Sequence, residues 1–362
     1  MLPAAFVRMG TAGIMGRSQD AFVLHGASRM AGEEERGSLS RRGFLIGAAA
    51  VAAGLTGLRV MARRRHVVRL KEYAPNGLAR GISIIHGDAK SPADEERVVT
   101  EMTRQAVAAL GGMRTVVKKG DTVVIKPNMA WVWGPEMAAN TNPYVVAALV
   151  RMCAEAGAAR VCVMDNTIAA DPSTSYRASG IAAAAAAAGA EVRYVERSRA
   201  LTLPVPDHFV LPEWPFCREF VSGDACDVLI NVPVLKDHGT SRLSIGLKNA
   251  FGMVAGERGQ LHPEIHLKIP DLLRVIKVDL TVMDCYRVLR THGPTGGTPA
   301  DVDNSVQGAR RVVASRDPVA VDACGASMFG YGPTQIGFIA NAEKAGLGTA
   351  DWHSLPLFEQ TI

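Results

Sequence analysis

The sequence predicts an α/β fold, with a layered, mostly parallel central sheet flanked by helices in a single large domain. Three observations predict it. Apolar runs of strand length alternate with helical periods from residue 80 onward. No repeat of fixed period and no long linker breaks that alternation. A chain of 362 residues with 48% hydrophobic content can bury one large core.

The elements follow in order. Ser91-Pro92-Ala93-Asp94 reads as a cap with Pro at the first helical position, so a helix is predicted from there to about Leu110. Thr122 to Lys126 reads as a buried strand. Asn142-Pro143 opens the next helix, which ends near Gly157, and Arg160 to Asp165 is a second strand. The alanine run Ala182 to Ala188 suits a close-packed helix stopped by Gly189, because Ala is the best helix former. Glu191 to Val195 is a third strand. Leu201 to Phe220, with its prolines, reads as a loop-rich excursion or short meander. Strands are predicted again at Asp227 to Val234, Leu280 to Asp284 and Arg311 to Ser315.

Charge separates the chain into two parts. Residues 1–65 carry 10 of the 40 Lys+Arg and 4 of the 35 Asp+Glu, so residues 66–362 hold 30 against 31. The body has no excess cation to neutralise a run of phosphates, and nucleic acid is not an expected partner. Ser40-Arg41-Arg42-Gly43-Phe44-Leu45 precedes an uncharged, Gly/Ala-rich stretch to Leu58, and Arg63-Arg64-Arg65 follow. This leader resembles a twin-arginine export signal, with Met30 an alternative start; a buried helix or membrane span is the competing reading. It implies the twin-arginine translocation machinery as a partner and a periplasmic or membrane-tethered location. The six cysteines include no C-x-x-C spacing, so buried thiols are expected and no local iron–sulfur motif is encoded.

Polar residues recur just after the apolar strands: Lys126-Pro127-Asn128, Asp165-Asn166, Lys236-Asp237-His238, Asp284 and Asp317. In an open parallel sheet these carboxyl ends share one edge, where ligands bind. Lys236 and His238 fall on one face if the extended conformation continues. Ser241 and Ser244 are expected to begin a helix whose N-terminal amides hold an anion, with Lys248 one turn beyond.

A family resemblance rests on ordered blocks. Asn231-Val232-Pro233-Val234-Leu235-Lys236-Asp237-His238, Leu247-Lys248-Asn249, Asp279 to Asp284, Gly293-Pro294-Thr295-Gly296 and Ser315 to Ala323 look like successive blocks of the domain of unknown function 362 family. Lys126-Pro127-Asn128 looks like its opening block, and the match spans about residues 83 to 332. Many members carry ferredoxin-like segments, so the resemblance implies redox or cofactor work and a redox partner. This chain lacks those segments and departs at Cys285, where Gly usually follows the Asp.

The remaining blocks have physical readings. Gly293 and Gly296 can present bare amides to an anion, or simply form a turn. Asp317-Pro318 is a helix cap and first position. Asp322, on an apolar stretch, needs a cation, a Lys or a metal as partner. His262 and His266, four apart on a helix, can share a divalent metal. Trp131 and Trp133 can close over a ligand or pack on the surface.

The expected site therefore has His238, Lys236 and Asp284 as catalytic candidates. Lys126, Asn128, Asn231, Ser241, Ser244, Lys248, Asn249, Gly293 and Gly296 are its ligand-binding candidates. Asp165, His262 and Asp322 are candidates for a divalent metal, the cofactor being otherwise unknown. Three functions fit: an enzyme acting on an anionic small molecule, a module that carries a cofactor without turnover, and a membrane-tethered partner protein.

Overall fold

A computed structural model describes residues 81–295, 297–305 and 307–362. The leader 1–65 and Gly296 lie outside the described residues.

Strand β1 (Ile82–His86) is followed by a short 3-10 turn and helix α1 (Glu95–Ala108). Next come β2 (Thr122–Pro127), α2 (Pro143–Ala156) and β3 (Arg160–Val163). The ends of α2 are set as expected: Asn142 caps it by accepting from the Tyr144 amide at 2.9 Å, Pro143 sits at its first turn, and Gly157 closes it at φ 99°. The alanine region forms two short helices, α3 (Pro172–Ala178) and α4 (Ile181–Ala187), because Gly180 turns left-handed between them. Strand β4 shrinks to Glu191–Val192. The proline-rich excursion is a hairpin of β5 (Leu201–Pro204) and β6 (Glu213–Phe216), followed by α5 (Arg218–Val221).

The second half holds β7 (Val228–Val232), β8 (Val234–His238), β9 (Arg242–Ser244), α6 (Gly246–Asn249) and α7 (Ile265–Val275). Then come the long β10 (Leu280–Leu289), β11 (Val302–Asp303), β12 (Arg311–Ser315), α8 (Pro318–Ser327), α9 (Gly337–Lys344) and β13 (Leu357–Thr361).

The sheet runs β13-β1-β12-β10-β7-β2-β3-β4, with β8 and β11 paired to β10 and β9 paired to β8. From β10 to β4 every neighbouring pair on this path is parallel. Strand β12 runs against both β1 and β10. That reversal corrects one expectation: Asp317, after β12, lies at the opposite edge from the ends of β2, β3 and β7. There it caps α8, accepting from the amides of Val319 and Ala320, and takes the Thr349 amide.

Alternate residues of the strands feed two apolar layers, one on each face. Val123 and Ile125 belong to the layer that holds α1 and α2, whereas Val124 belongs to the layer that holds α7, α8 and α9. Lys126 continues the Val124 face, so β2 delivers a lysine into the second layer.

Candidate functional site

The site forms where β2, β3 and the β7-β8 strand end. Pro233 interrupts β7 and β8, and β10 follows both, pairing first with β7 at Thr281↔Asn231 and then with β8 at Asp284↔Val234. The chain therefore extends past the sheet edge, carrying Lys236 and His238 with it. Strand β9 turns back antiparallel on β8, with Lys236 opposite Ser244.

This overturns the expected helix at Ser241 and Ser244. Both belong to the hairpin, and the helix is the single turn α6. The amides of Gly246 and Leu247 at its start are already occupied: they donate to Asp322 Oδ1 at 2.8 Å and Oδ2 at 3.0 Å. Asp322 thus has backbone partners in place of the cation, Lys or metal expected for it. Burial pushes its carboxyl up to about 8, against the pull of those two amides.

Lys126, Lys236, Lys248 and Arg258 line one cavity of about 280 Å³, which Asp165 alone among the carboxylates of the described residues borders. Lys126 Nζ lies 2.9 Å from Asp165 Oδ1, outside hydrogen-bonding angles, and donates to Asn249 Oδ1 at 2.5 Å. Lys236 Nζ donates to the Ala139 carbonyl and, at 3.5 Å, to Asn128 Oδ1. Lys248 Nζ stands 4.5 Å from the centre of the Phe251 ring. Arg258 bridges the carbonyls of Asn166 at 2.5 Å and Thr167 at 2.8 Å.

Burial is the main influence on these groups. It lowers the pKa of Lys126, which Asp165 partly restores. Lys236 falls well below the ordinary lysine value through burial, then through Lys248 and Lys126. Lys248 falls to about 8 through burial, Lys126 and Arg258. The buried amines are short of counter-charge.

His238 is neutral here. Its Nδ1 accepts the amides of Thr240 at 3.2 Å and Ser241 at 3.4 Å, so the ring proton belongs on Nε2. Burial, Lys248 and Lys236 hold its pKa at about 3. A ring already protonated on Nε2 donates a hydrogen bond and has no free nitrogen with which to act as a base. In this tautomer His238 is a hydrogen-bond donor through Nε2.

The other candidates divide by position. Asn128, Ser244 and Asn249 line the cavity. Asn231 lies behind it, donating to the Gly246 carbonyl at 2.9 Å and accepting from Asn249 at 2.8 Å, and so ties α6 to the sheet. Ser241 donates to the Leu243 carbonyl at 2.8 Å. The Gly293 amide is taken by Asp237 Oδ2 at 2.9 Å, leaving Pro294 to face the cavity. Asp284 is not a lining residue: it accepts the amides of Asn142 at 2.8 Å and Tyr286 at 2.9 Å and so holds the start of α2. Burial raises it to about 6.

The metal set is not assembled. Asp165 is paired with Lys126, Asp322 is fixed to α6, and His262 lies before α7, with Glu264 turned left-handed at φ 54° between it and the helix. His262 still borders the cavity, whereas His266 accepts the Phe338 amide at 3.2 Å. Among the described residues no group of three or more His, Cys, Asp or Glu is placed to hold a metal ion.

Sequence reasoning missed Arg258, Phe251 and Gly252. Gly252 admits no side chain, since a Cβ there would stand 2.6 Å from Lys126 Nζ and closer still to Asp165. Trp131 lines the cavity and is fixed by Asn140, which accepts its amide at 3.1 Å and donates to its carbonyl at 2.9 Å. Trp133 is exposed.

Fold and site together define an α/β protein with a lysine-rich pocket at the carboxyl edge of its sheet. The chain belongs to the family described as domain of unknown function (DUF362), whose profile matches residues 123–327. It is 28% identical over 269 residues to a thylakoid-associated protein of Synechocystis sp., covering 70% of this chain and 77% of that protein. A solved structure of a Thermotoga maritima protein is similar at TM-score 0.39 and 11% identity, over 72% of this chain and 60% of that one.

Proposed function

We propose that this protein binds a small anionic molecule in the pocket between β2, β8 and α6. The observation that carries the reading is the donor set: three buried lysines, Arg258 and the Nε2–H of His238 converge there beside one carboxylate. A cation meets repulsion in such a set, and an anion meets charge-assisted donors. The cavity is slightly below the range of about 300–1,000 Å³ common for ligand sites, which favours a small ligand. Calorimetry against inorganic phosphate and small mono- and dicarboxylates tests it. At least one should bind, and Lys236→Met should weaken it about tenfold, roughly 1.4 kcal/mol. Binding that is absent across the series, or unchanged in the variant, would sink the proposal.

Export belongs to the same reading. The Arg41-Arg42 pair, the Gly/Ala stretch and Arg63-Arg64-Arg65 support transport of the folded protein by the twin-arginine machinery. Residues 1–65 fused to a reporter that is exported only when folded should carry it out of the cytoplasm. Replacing Arg41 and Arg42 together by Lys should retain it inside; export unchanged by that replacement would refute the assignment.

A further inference from the structure

The three lysines of the pocket are not equivalent. Lys126 is engaged by Asp165 and Asn249, and Lys236 points its amine at the Ala139 carbonyl and Asn128. Lys248 has an aromatic ring for its neighbour and, among the described residues, no hydrogen bond or ion pair. It is buried at 8% exposure and still borders the cavity. An amine kept in an apolar setting beside other cations is the environment in which lysine becomes a nucleophile.

The geometry points to Lys248 as an imine-forming residue, and to an anionic aldehyde or ketone, such as a small 2-oxo acid, as the class of ligand. This deepens the anion-binding reading and rests on it. Lys126, Lys236 and the Nε2–H of His238 hold the carboxylate while Trp131 and Phe251 bound the carbon chain. The Nζ lone pair then forms a bond to the carbonyl carbon, and the carbonyl π pair moves to oxygen, which takes a proton. The carbinolamine loses its hydroxyl with a second proton as water. Nitrogen gives up both of its hydrogens, the C=N bond replaces C=O, and no oxidant or reductant takes part.

Geometry makes the choice among the lysines, because burial lowers Lys236 as well but its amine is taken by the Ala139 carbonyl and Asn128. With a pKa of about 8, about one Lys248 in ten is uncharged at pH 7, against roughly one in three thousand for an ordinary lysine. Other cations remain to hold the ligand when this one reacts.

The test is reductive trapping on the full chain: glyoxylate with cyanoborohydride at pH 7, read by intact mass and peptide mapping. One adduct per chain is expected, at Lys248, forming about a hundredfold faster than on exposed lysines. Lys248→Arg should abolish it, Lys90→Arg on the exposed surface should keep it, and oxalate, an anion without a reactive carbonyl, should block it. Oxalate binding with adducts scattered over surface lysines would overturn the imine and leave the anion site standing. Neither adduct nor oxalate binding would overturn both. Should Lys248→Arg fail to fold, the mapped position in the wild type decides alone.

Discussion

Asp322→Ala is expected to lower the unfolding free energy by about 4 kcal/mol, because two buried amides lose their acceptor at roughly 1–3 kcal/mol each. The two oxygens of the Asp322 carboxyl group accept the Gly246 and Leu247 amides at the start of α6, and the group is completely buried. A helix of one turn has no other way to satisfy those groups, and water does not reach them. Packing is tight as well: a Cβ on Gly246 would stand 2.7 Å from Asp322 Oδ1. The consequence passes directly to the site, since α6 carries Lys248 and Asn249. Denaturant titration should show a lower midpoint with an unchanged slope. Anion affinity should fall with it, although Asp322 does not line the pocket. A variant that keeps wild-type stability would show that α6 is held from elsewhere. Asp322→Asn separates the parts of the effect: its oxygen restores one acceptor, and its NH2 meets the second amide as donor against donor.

The pattern of residues made much of this architecture legible and hid specific parts of it. The strand at Thr122 to Lys126 and the helix opened by Asn142-Pro143 were readable because apolar runs, caps and Gly157 are local signals. Lys126, Asn128, Lys236 and His238 were readable as a set because they follow buried strands in a mostly parallel sheet, whereas Lys248 was placed beside them by a helix register that a hairpin replaces. Strand direction leaves no such mark. The run Arg311 to Ser315 is equally apolar whichever way it points, so Asp317 was expected at the wrong edge. Asp284 was expected to do chemistry because it follows an apolar strand, and Asp322 to meet a cation, a Lys or a metal because a buried carboxylate needs a partner; the sequence does not say that the partner is backbone. Likewise Ser241 and Ser244 suit a cap as well as a hairpin, and Lys236 opposite Ser244 is a pairing that only the fold defines. Arg258 sits on a 3-10 turn amid polar residues, where periodicity gives no signal.

Lys248→Met is expected to stabilise the ligand-free protein at pH 7 by about 3 kcal/mol, and to lose that advantage as the pH rises. The folded protein holds this amine at about 8, whereas its ordinary value is 10.5. Between those values the unfolded chain binds more protons than the folded one, so raising the pH stabilises the wild type by up to about 1.4 kcal/mol per unit. Below about pH 8 the full penalty of burying the charge is present; above 10.5 it is gone. Lys126, Lys236, Arg258, His238 and Asp165 border the same cavity, and Lys248 itself depresses Lys236 and His238. The difference between wild type and variant therefore reads the relief of the cluster as well as of one amine. Anion affinity should move in the opposite direction, weakening above pH 8 as the ammonium is lost. Imine formation should instead rise toward pH 8 and level off, because it needs the free amine. Stability that increases with alkaline pH while anion binding declines is a combination that surface lysines do not produce, since their charge is solvated in both states. Denaturation curves and calorimetry at pH 7, 8.5 and 10 measure it. Parallel stability curves for wild type and variant would show that Lys248 reaches water in the folded protein, and would remove the basis for its reactivity.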